Sequence, residues 1–233
     1  RTRVMYYGLD ERAGVRASDL QGDALHGHSF TLHYHDVHLP VQLQIPGKHG
    51  VSTALAAAAT GFLAGVAPEA ISSALASLVP VKGRGVIKRG PNGSTLIDDS
   101  YKANRQSILA GIAVMHGTDL TGGGKRWAVL GDMLDLAQYA HDEHYTTGQA
   151  LVGQIDYLVA IGDQARFYVE GAREAGMPAD RLFLFKADPA DHAQMESAKQ
   201  AVSAFLHEKV QSNDLLILKG SNPLGLQTIL EKF

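Results

Sequence analysis

Four short apolar runs in the second half of the chain end on residues that could bind a ligand. The endings are Asp98-Asp99-Ser100, Gly131-Asp132, Gly162-Asp163 and Lys219-Gly220-Ser221. A lysine can pair with phosphate or carboxylate, an aspartate can accept hydrogen bonds from hydroxyl groups, and turn N–H groups can hold an anion. One such ending is ordinary because turns favour glycine and aspartate, but four of them predict a ligand-binding edge.

Two further residues could bind an anion or lie beside one. Arg84 lies between two glycines in "VKGRG", where its guanidinium could reach phosphate or carboxylate, or could remain a solvated linker residue. His49 follows Pro46-Gly47 at the predicted start of a helix, whose free N–H groups attract anions. A capping role alone is the equal alternative for His49.

Several histidines are spaced as metal ligands can be. The pairs are His26 with His28, His33 with His35, and His141 with His144. No H-E-x-x-H sequence and no array of carboxylates accompanies them. We therefore interpret these histidines as solvated or hydrogen-bonded, and we expect no metal-ligating residue in this chain.

Composition excludes several classes of function. The chain of 233 residues has no cysteine, which excludes disulfides and thiol nucleophiles. Its net charge of −3 gives no reason to expect nucleic acid as a partner. The longest apolar stretch, residues 54–66, is shorter than the roughly 20 residues that span a bilayer. We expect no membrane insertion and a cytoplasmic location.

The first part of the chain reads as strands followed by helices. "VMYYGL" predicts a strand, and Phe30–His35 with Val41–Ile45 predicts a hairpin that turns over Asp36–Pro40. An alanine-rich helix follows, and Pro68 suits the first turn of a second helix. The glycine-rich basic stretch after these helices predicts a domain boundary near residue 82, which gives domains 1–82 and 83–233.

Beyond that boundary, apolar strands alternate with helices. Strands are predicted at Thr95–Asp98, Trp127–Leu130, Tyr157–Ile161, Leu182–Phe185 and Leu215–Leu218. Helices are predicted at Arg105–Met115, His141–Val152, Ala165–Ala175, Asp191–Val210 and Leu226–Phe233. This alternation indicates an α/β fold with a doubly wound parallel sheet. The glycines of "GGGKR" at 122–126 precede a strand and lack the Ser/Thr of a phosphate loop, so that motif is absent.

Five stretches together resemble the Mur ligase family. They are "IPGKHGVSTALAAAA", "VKGRG", "LIDDSYKANRQSILAGI", "AVLGDMLDLA" and "LLILKGS", and they occur in the order that this family shows. The resemblance implies the tail of a central ATPase domain, followed by a Rossmann-like C-terminal ligase domain. It also implies that the phosphate loop and a UDP-binding domain lie before Arg1, and that this chain is inactive by itself.

The resemblance further implies a reaction and its participants. The reaction is ATP-dependent formation of an amide bond in peptidoglycan precursor synthesis, with ATP and Mg²⁺ as cofactors. The substrates are a UDP-N-acetylmuramoyl tripeptide and D-alanyl-D-alanine, and the protein is expected to be a monomer. Two alternatives are another amino acid ligase of this family and a non-catalytic α/β binding module.

Six residues carry the roles that the resemblance implies. Contacts with ATP are implied for His49, Arg84, Asp99 and Asn104. Contacts with the dipeptide are implied for Lys219 and Ser221. Arg84 and Lys219 are the expected catalytic cations, because the substrates themselves supply both reacting groups.

Overall fold

The protein is described by a computed structural model that covers residues 4–232. The chain divides into two compact units, one ending at Pro80 and the other beginning at Val81. The sequence places its domain boundary near residue 82, within the same stretch. Each unit has its own sheet, so each is described separately.

The first unit has four strands and two helices. The strands are β1 (Tyr7–Gly8), β2 (Val15–Asp23), β3 (Gly27–Tyr34) and β4 (Val37–Leu43), and the helices are α1 (Lys48–Leu63) and α2 (Pro68–Ala76). The sheet has the order β1-β2-β3-β4, in which β1 is parallel to β2 and the other pairs are antiparallel. Alternate residues of the strands and the alanine-rich face of α1 form its apolar core.

The predicted hairpin is confirmed as β3 and β4, but its turn is shorter than predicted. The turn contains only His35 and Asp36, and Pro40 lies inside β4 opposite Thr31. The strand predicted at "VMYYGL" is reduced to the two residues of β1. Strand β2 was not predicted from the sequence, because its second half is polar and its pairing with β3 is interrupted by a bulge.

The second unit contains a six-stranded sheet with helices on both faces. Its strands are β5 (Val86–Arg89), β6 (Thr95–Asp99), β7 (Arg126–Gly131), β8 (Tyr157–Ile161), β9 (Leu182–Phe185) and β10 (Leu215–Lys219). Its helices are α3 (Arg105–His116), α4 (Ala140–Leu151), α5 (Arg166–Glu174) and α6 (His192–Lys209). The strand order is β5-β6-β10-β7-β8-β9, and all pairs are parallel except β5 with β6. The predicted α/β fold is confirmed.

Both faces of the parallel strands are buried, which explains their uninterrupted apolar sequences. Helix α6 packs on one face through residues such as Val202 and Leu206, over Val159 and Leu218. On the other face, Gly111 of α3 comes close to the side chain of Ile217. In the part of the chain that the structure describes, no helix has the length and apolar character needed to cross a membrane.

The end of the chain differs from its prediction. A 3-10 helix occupies Leu226–Lys232 where an α-helix was predicted, and Phe233 lies outside the described residues. Leu226 and Ile229 are buried in the core beneath α6. This segment therefore helps to cover the same face of the sheet as α6.

Candidate functional site

A cluster of charged residues lies where β6 and β10 end side by side. Asp99 is the last residue of β6 and pairs in register with Lys219, the last residue of β10. The ammonium of Lys219 forms an ion pair with the Asp99 carboxylate and donates a hydrogen bond to the carbonyl oxygen of Lys102 at 3.0 Å. The Lys219 side chain is only 2% exposed, whereas that of Asp99 is 23% exposed. The carboxylate is therefore the more accessible partner.

Burial and charge act against each other on Lys219. Burial is the largest influence and lowers the pKa of its ammonium, while the Asp99 carboxylate raises that pKa. The guanidinium of Arg84 also lowers the pKa of Lys219, because it is a nearby like charge. This edge of the sheet thus carries two cations, Lys219 and Arg84, together with the Asp99 carboxylate that pairs with Lys219.

The loop before β5 presents Arg84 at the same edge. Gly83 and Gly85 have φ angles of +73° and +72°, a conformation that other residues rarely adopt. The carbonyl oxygen of Gly83 accepts a hydrogen bond from the N–H of Tyr101 at 3.0 Å, and the Arg84 guanidinium lies 4.4 Å from the centre of the Tyr101 ring. Arg84 is exposed, so its charge is free to meet an anion.

The two adjacent aspartates at the end of β6 have different environments. Asp98 is fully buried; its carboxylate pairs with Lys88 at 2.6 Å and accepts a hydrogen bond from the Ser100 hydroxyl at 2.7 Å. Asp98 is therefore held by its neighbours within the fold. Asp99 points to the charged cluster, as alternation along a strand requires.

The structure uses the side chains of Asn104 and Ser221 for internal hydrogen bonds. The Asn104 side-chain oxygen accepts a hydrogen bond from the N–H of Ser107 at 2.8 Å and caps α3. The Ser221 hydroxyl donates to the Asp132 carbonyl oxygen at 3.2 Å and accepts from the N–H of Leu134 at 3.1 Å. Ser221 is buried, and it ties the loop after β10 to the loop after β7.

His49 belongs to the first unit, whereas the other five predicted residues belong to the second. It is the second residue of α1 and is exposed. Gly47 precedes the helix with a φ angle of +77° and offers no side-chain cap, so the first N–H groups of α1 keep their capacity to bind an anion. At Gly50, a Cβ atom would lie 2.9 Å from a methyl group of Ile45, which explains why a glycine fits there.

Asp132 holds together the loops after β7 and β8, a role that the sequence analysis did not identify. Its side chain is fully buried, and its carboxylate accepts hydrogen bonds from the N–H groups of Asp163 at 3.0 Å and Ala165 at 2.6 Å. Burial raises the pKa of Asp132 to about 6, although these N–H donors lower it. The loops border an open cleft of about 500 Å³ that Lys186 and Gln194 also line.

His144 of α4 also holds the loop after β7 in place. Its Nε2 accepts a hydrogen bond from the N–H of Met133 at 2.9 Å, and its Nδ1–H donates to the carbonyl oxygen of Ala140 at 2.6 Å. Burial lowers the pKa of His144, so this neutral tautomer persists. His141, three residues earlier, is exposed and contacts Asp142, so the two histidines do not converge on one ion.

The raised pKa of Asp132 predicts how stability changes with pH. Between 3.8, the usual pKa, and about 6, the folded protein holds a proton that the unfolded chain has released. The free energy of unfolding therefore falls as pH rises through this interval, by up to about 3 kcal/mol. In Asp132→Asn this contribution is absent, so the stability of the wild type relative to the variant should decline from pH 4 to pH 6.

Urea denaturation followed by the fluorescence of Trp127, the single tryptophan, measures this difference. His144 is present in both proteins, so its own titration cancels in the comparison. Stability curves that run parallel from pH 4 to pH 6 would contradict the raised pKa of Asp132.

The two carboxylates at the end of β6 are already paired with lysines and do not by themselves form a Mg²⁺ site. Mg²⁺ takes oxygen ligands in octahedral geometry, usually one or two carboxylates together with substrate phosphates. Asp98 is occupied by Lys88 and Ser100, and Asp99 is occupied by Lys219. Within residues 4–232, no three histidine, aspartate or glutamate side chains converge to hold a metal ion.

Comparison with known proteins gives consistent matches over nearly the whole chain. A family model described as "Mur ligase, glutamate ligase domain" matches residues 83–222. The UDP-N-acetylmuramoyl-tripeptide–D-alanyl-D-alanine ligase of Mycobacterium tuberculosis is 30% identical over 240 residues, which cover 98% of this chain and 46% of that protein. The chain spans about half the length of the curated relatives it matches.

Solved structures match at similar coverage. MurF from Acinetobacter baumannii aligns with a TM-score of 0.78 at 25% identity, over 97% of this chain and 46% of that one. MurF ligase from Thermotoga maritima, solved in complex with ADP, aligns with a TM-score of 0.71 over 98% of this chain and 48% of that one. At 19% identity, the Thermotoga protein bears on the fold alone.

Proposed function

Because the chain belongs to the Mur ligase family, we propose that it forms about half of an ATP-dependent ligase that joins D-alanyl-D-alanine to a UDP-N-acetylmuramoyl tripeptide. On this proposal the first unit is the tail of the central ATPase domain, and the second unit is the C-terminal ligase domain. The phosphate loop and the Mg²⁺ ligands belong to the remainder of the ligase. A cytoplasmic location and a monomeric state remain predictions.

One structural observation carries the proposal. Segments that are distant in sequence meet at one edge of the sheet, and they are the segments on which the family resemblance rests. Arg84, Asp99 and Lys219 form a single charged cluster there. Ser221 connects this cluster's strand to the loop after β7. A turn-forming role alone would not bring Arg84 close to the ion pair of Lys219 and Asp99.

The proposed reaction needs positioning and positive charge rather than a protein nucleophile. The tripeptide carboxylate attacks the terminal phosphorus of ATP, which gives an acyl phosphate and ADP. The dipeptide amine then attacks the acyl carbon, loses a proton, and the tetrahedral intermediate expels phosphate. Negative charge accumulates on phosphoryl and carbonyl oxygens in both steps, so a preorganised cation lowers both barriers.

The geometry suggests a different role for each charged residue. Arg84 is exposed on a loop that glycines shape, and we assign it the contact with the phosphate groups. Asp99 is accessible enough to accept hydrogen bonds from ribose hydroxyls. Lys219 is buried behind Asp99, so it positions that carboxylate and contributes charge to the edge.

The hydrogen bonds of Asn104 and Ser221 limit what each can offer a ligand. The oxygen of Asn104 is engaged in capping α3, so only its amide NH₂ group is available for ATP. Ser221 acts through the loop after β7, because its hydroxyl both donates and accepts within the protein. We therefore propose that Ser221 shapes the dipeptide site and that His49 contributes to nucleotide binding from the first unit.

Arg84→Ala tests the proposal in the full gene product that carries this chain. We expect kcat/KM for phosphate release, with ATP, UDP-N-acetylmuramoyl tripeptide and D-alanyl-D-alanine, to fall about 100-fold, as when one preorganised donor is lost. The thermal midpoint should change little because Arg84 is exposed. Arg89→Ala is the matched control, since Arg89 is an exposed arginine of β5 in the same unit.

The same assay separates the alternatives. Phosphate release that requires glutamate, L-alanine or a diamino acid, each supplied with the UDP-N-acetylmuramoyl substrate that it would extend, instead of D-alanyl-D-alanine with the tripeptide, would indicate another amino acid ligase of the family. No release with any of these amines would indicate a non-catalytic binding module. Equal losses in Arg84→Ala and Arg89→Ala would contradict the role of Arg84.

A further inference from the structure

The outer face of the sheet in the first unit carries two histidines that face each other. His33 of β3 and His38 of β4 are directly opposite in the register, one position from the two-residue turn. The pair at the turn, Tyr34 with Val37, closes the hairpin, so the next pair is of the type without mutual backbone hydrogen bonds. Side chains approach each other most closely at such positions.

One ring nitrogen of His33 lies within hydrogen-bonding distance of one ring nitrogen of His38. The Nδ1 atoms of His33 and His38 are 2.7 Å apart, so one proton is shared between two nitrogens. The other nitrogen of His33, Nε2, lies 2.7 Å from the Ser18 hydroxyl, which itself donates to Asp19 at 2.7 Å. Ser18 therefore accepts from Nε2–H, and the Nδ1 lone pair of His33 points toward His38.

A bulge in β2 brings the carboxylate of Asp19 to this face. Ser18 pairs with Thr31 and Gln21 pairs with Ser29, so two residues of β2 lie opposite one residue of β3. Asp19 has a φ angle of +54°, and its carboxylate accepts a second hydrogen bond from the Thr31 hydroxyl at 3.1 Å. The bulge thus turns toward the outer face a residue that regular pairing would direct at the core.

We propose that His33 and His38 bind a divalent transition metal ion, of the class that prefers imidazole ligands, through their two Nδ1 atoms. The ion replaces the proton that the two nitrogens share, and His38 regains that proton at its Nε2 atom through solvent, so that both ligands remain neutral imidazoles. Zn²⁺ bound to two imidazoles at about 2.0–2.1 Å places their nitrogens about 3.3 Å apart in tetrahedral geometry. Binding therefore requires the nitrogens to move apart by roughly half an ångström from their present 2.7 Å, and both rings to tilt so that their lone pairs point at the ion.

The surroundings of His33 are those of a metal-binding imidazole. Such histidines usually donate their second N–H to a carboxylate or carbonyl, which fixes the tautomer and the ring orientation. Ser18 and Asp19 provide this support through a chain of two hydrogen bonds. Arg16 of β2 lies opposite His33 and opposes a bound cation, whereas the charge of Asp19 favours one.

Two imidazoles leave the remaining coordination positions to water. This site therefore differs from a closed structural zinc site, and we expect it to bind reversibly. The proposal depends on the first unit alone and does not rest on the proposed ligase reaction. It also revises the sequence interpretation, which paired His33 with His35 and expected no ligands; His35 lies in the turn instead.

Isothermal titration of the untagged chain with ZnCl₂ and NiCl₂ tests the site, with MgCl₂ as the ion that should not bind. We expect one ion per chain, at least tenfold weaker binding in His38→Ala and His38→Gln, and unchanged binding in His35→Ala, whose histidine is exposed in the adjacent turn. Ser18→Ala should weaken binding about tenfold because it removes the support of His33. Circular dichroism without metal confirms that each variant is folded.

Nuclear magnetic resonance spectra of the same samples locate the bound ion. Shifts should be largest at His33, His38 and their strand neighbours. Absence of Zn²⁺ and Ni²⁺ binding by the wild type would overturn the proposal. So would an affinity that His38→Ala and His38→Gln retain, or one that His35→Ala loses to the same extent.

Discussion

Lys219→Met is expected to lower the free energy of unfolding of the second unit by about 3 kcal/mol. The substitution keeps most of the length of the side chain and removes its charge. Asp99 therefore loses its cationic partner at a site that is three-quarters closed to water. The Lys102 carbonyl oxygen also loses its donor. Urea denaturation followed by the fluorescence of Trp127, which lies in the core of this unit, measures the loss.

The double variant Lys219→Met/Asp99→Asn separates charge from packing. If the unpaired carboxylate causes most of the loss, replacing it with a neutral amide should recover a large part of it. Lys102→Met is the matched control, because Lys102 is exposed and lies 3.7 Å from an exposed Asp135, so we expect a change below about 0.5 kcal/mol. A double variant as unstable as Lys219→Met would show that packing, and not the ion pair, matters.

The parallel strands were predictable because both faces of their sheet are buried. Strands β8 and β9 match the predicted bounds, and β6, β7 and β10 are each within one residue at either end. Each contains a continuous apolar run that a glycine or a charged residue ends. The ends of such strands lie at one edge, so the meeting of Asp99 and Lys219 followed from the fold class.

Elements at the margins of the two sheets were not predictable in the same way. Strand β5 is an antiparallel edge strand with four residues, two of them basic, so it has little apolar signal. Strand β2 contains Asp19 and Gln21 around a bulge, which breaks the alternation that marks a half-buried strand. His33 and His38 face each other because the hairpin turn contains two residues. The turn predicted from the sequence contains five residues, Asp36–Pro40.

The roles of the buried polar residues could not be predicted from the sequence. Asp132 directly follows β7 and Asp99 is the last residue of β6, and nothing in the local sequence distinguishes the roles of these two aspartates. The difference arises because N–H groups of the next loop converge on Asp132, whereas Lys219 approaches Asp99. Likewise, Asn104 caps α3 and Ser221 joins two loops because of the way in which their side chains are oriented. A sequence pattern does not specify that orientation.

Gly171→Ala is expected to destabilise the second unit by about 3 kcal/mol, although alanine is the better helix former. Without steric conflict, the change would stabilise α5 by about 1 kcal/mol. A Cβ atom at Gly171 would, however, overlap the carbonyl oxygen of Tyr145 in α4, and one at Gly148 would overlap that of Tyr168 in α5. The two helices therefore cross at reciprocal glycines, and neither backbone oxygen can retreat without moving its helix.

Thermal and urea denaturation of Gly171→Ala and Gly148→Ala, both read through Trp127, should show similar losses because both changes separate the same helices. Gln149→Ala is the matched control, since Gln149 is exposed on α4 next to this crossing and should change stability by only a few tenths of a kcal/mol. A gain of stability in Gly171→Ala would contradict the close crossing.

Movement of α4 would also disturb the hydrogen bond from Met133 to His144. On the proposed ligase function, the glycine variants should therefore also weaken ligation in the full gene product, even at temperatures where they remain folded.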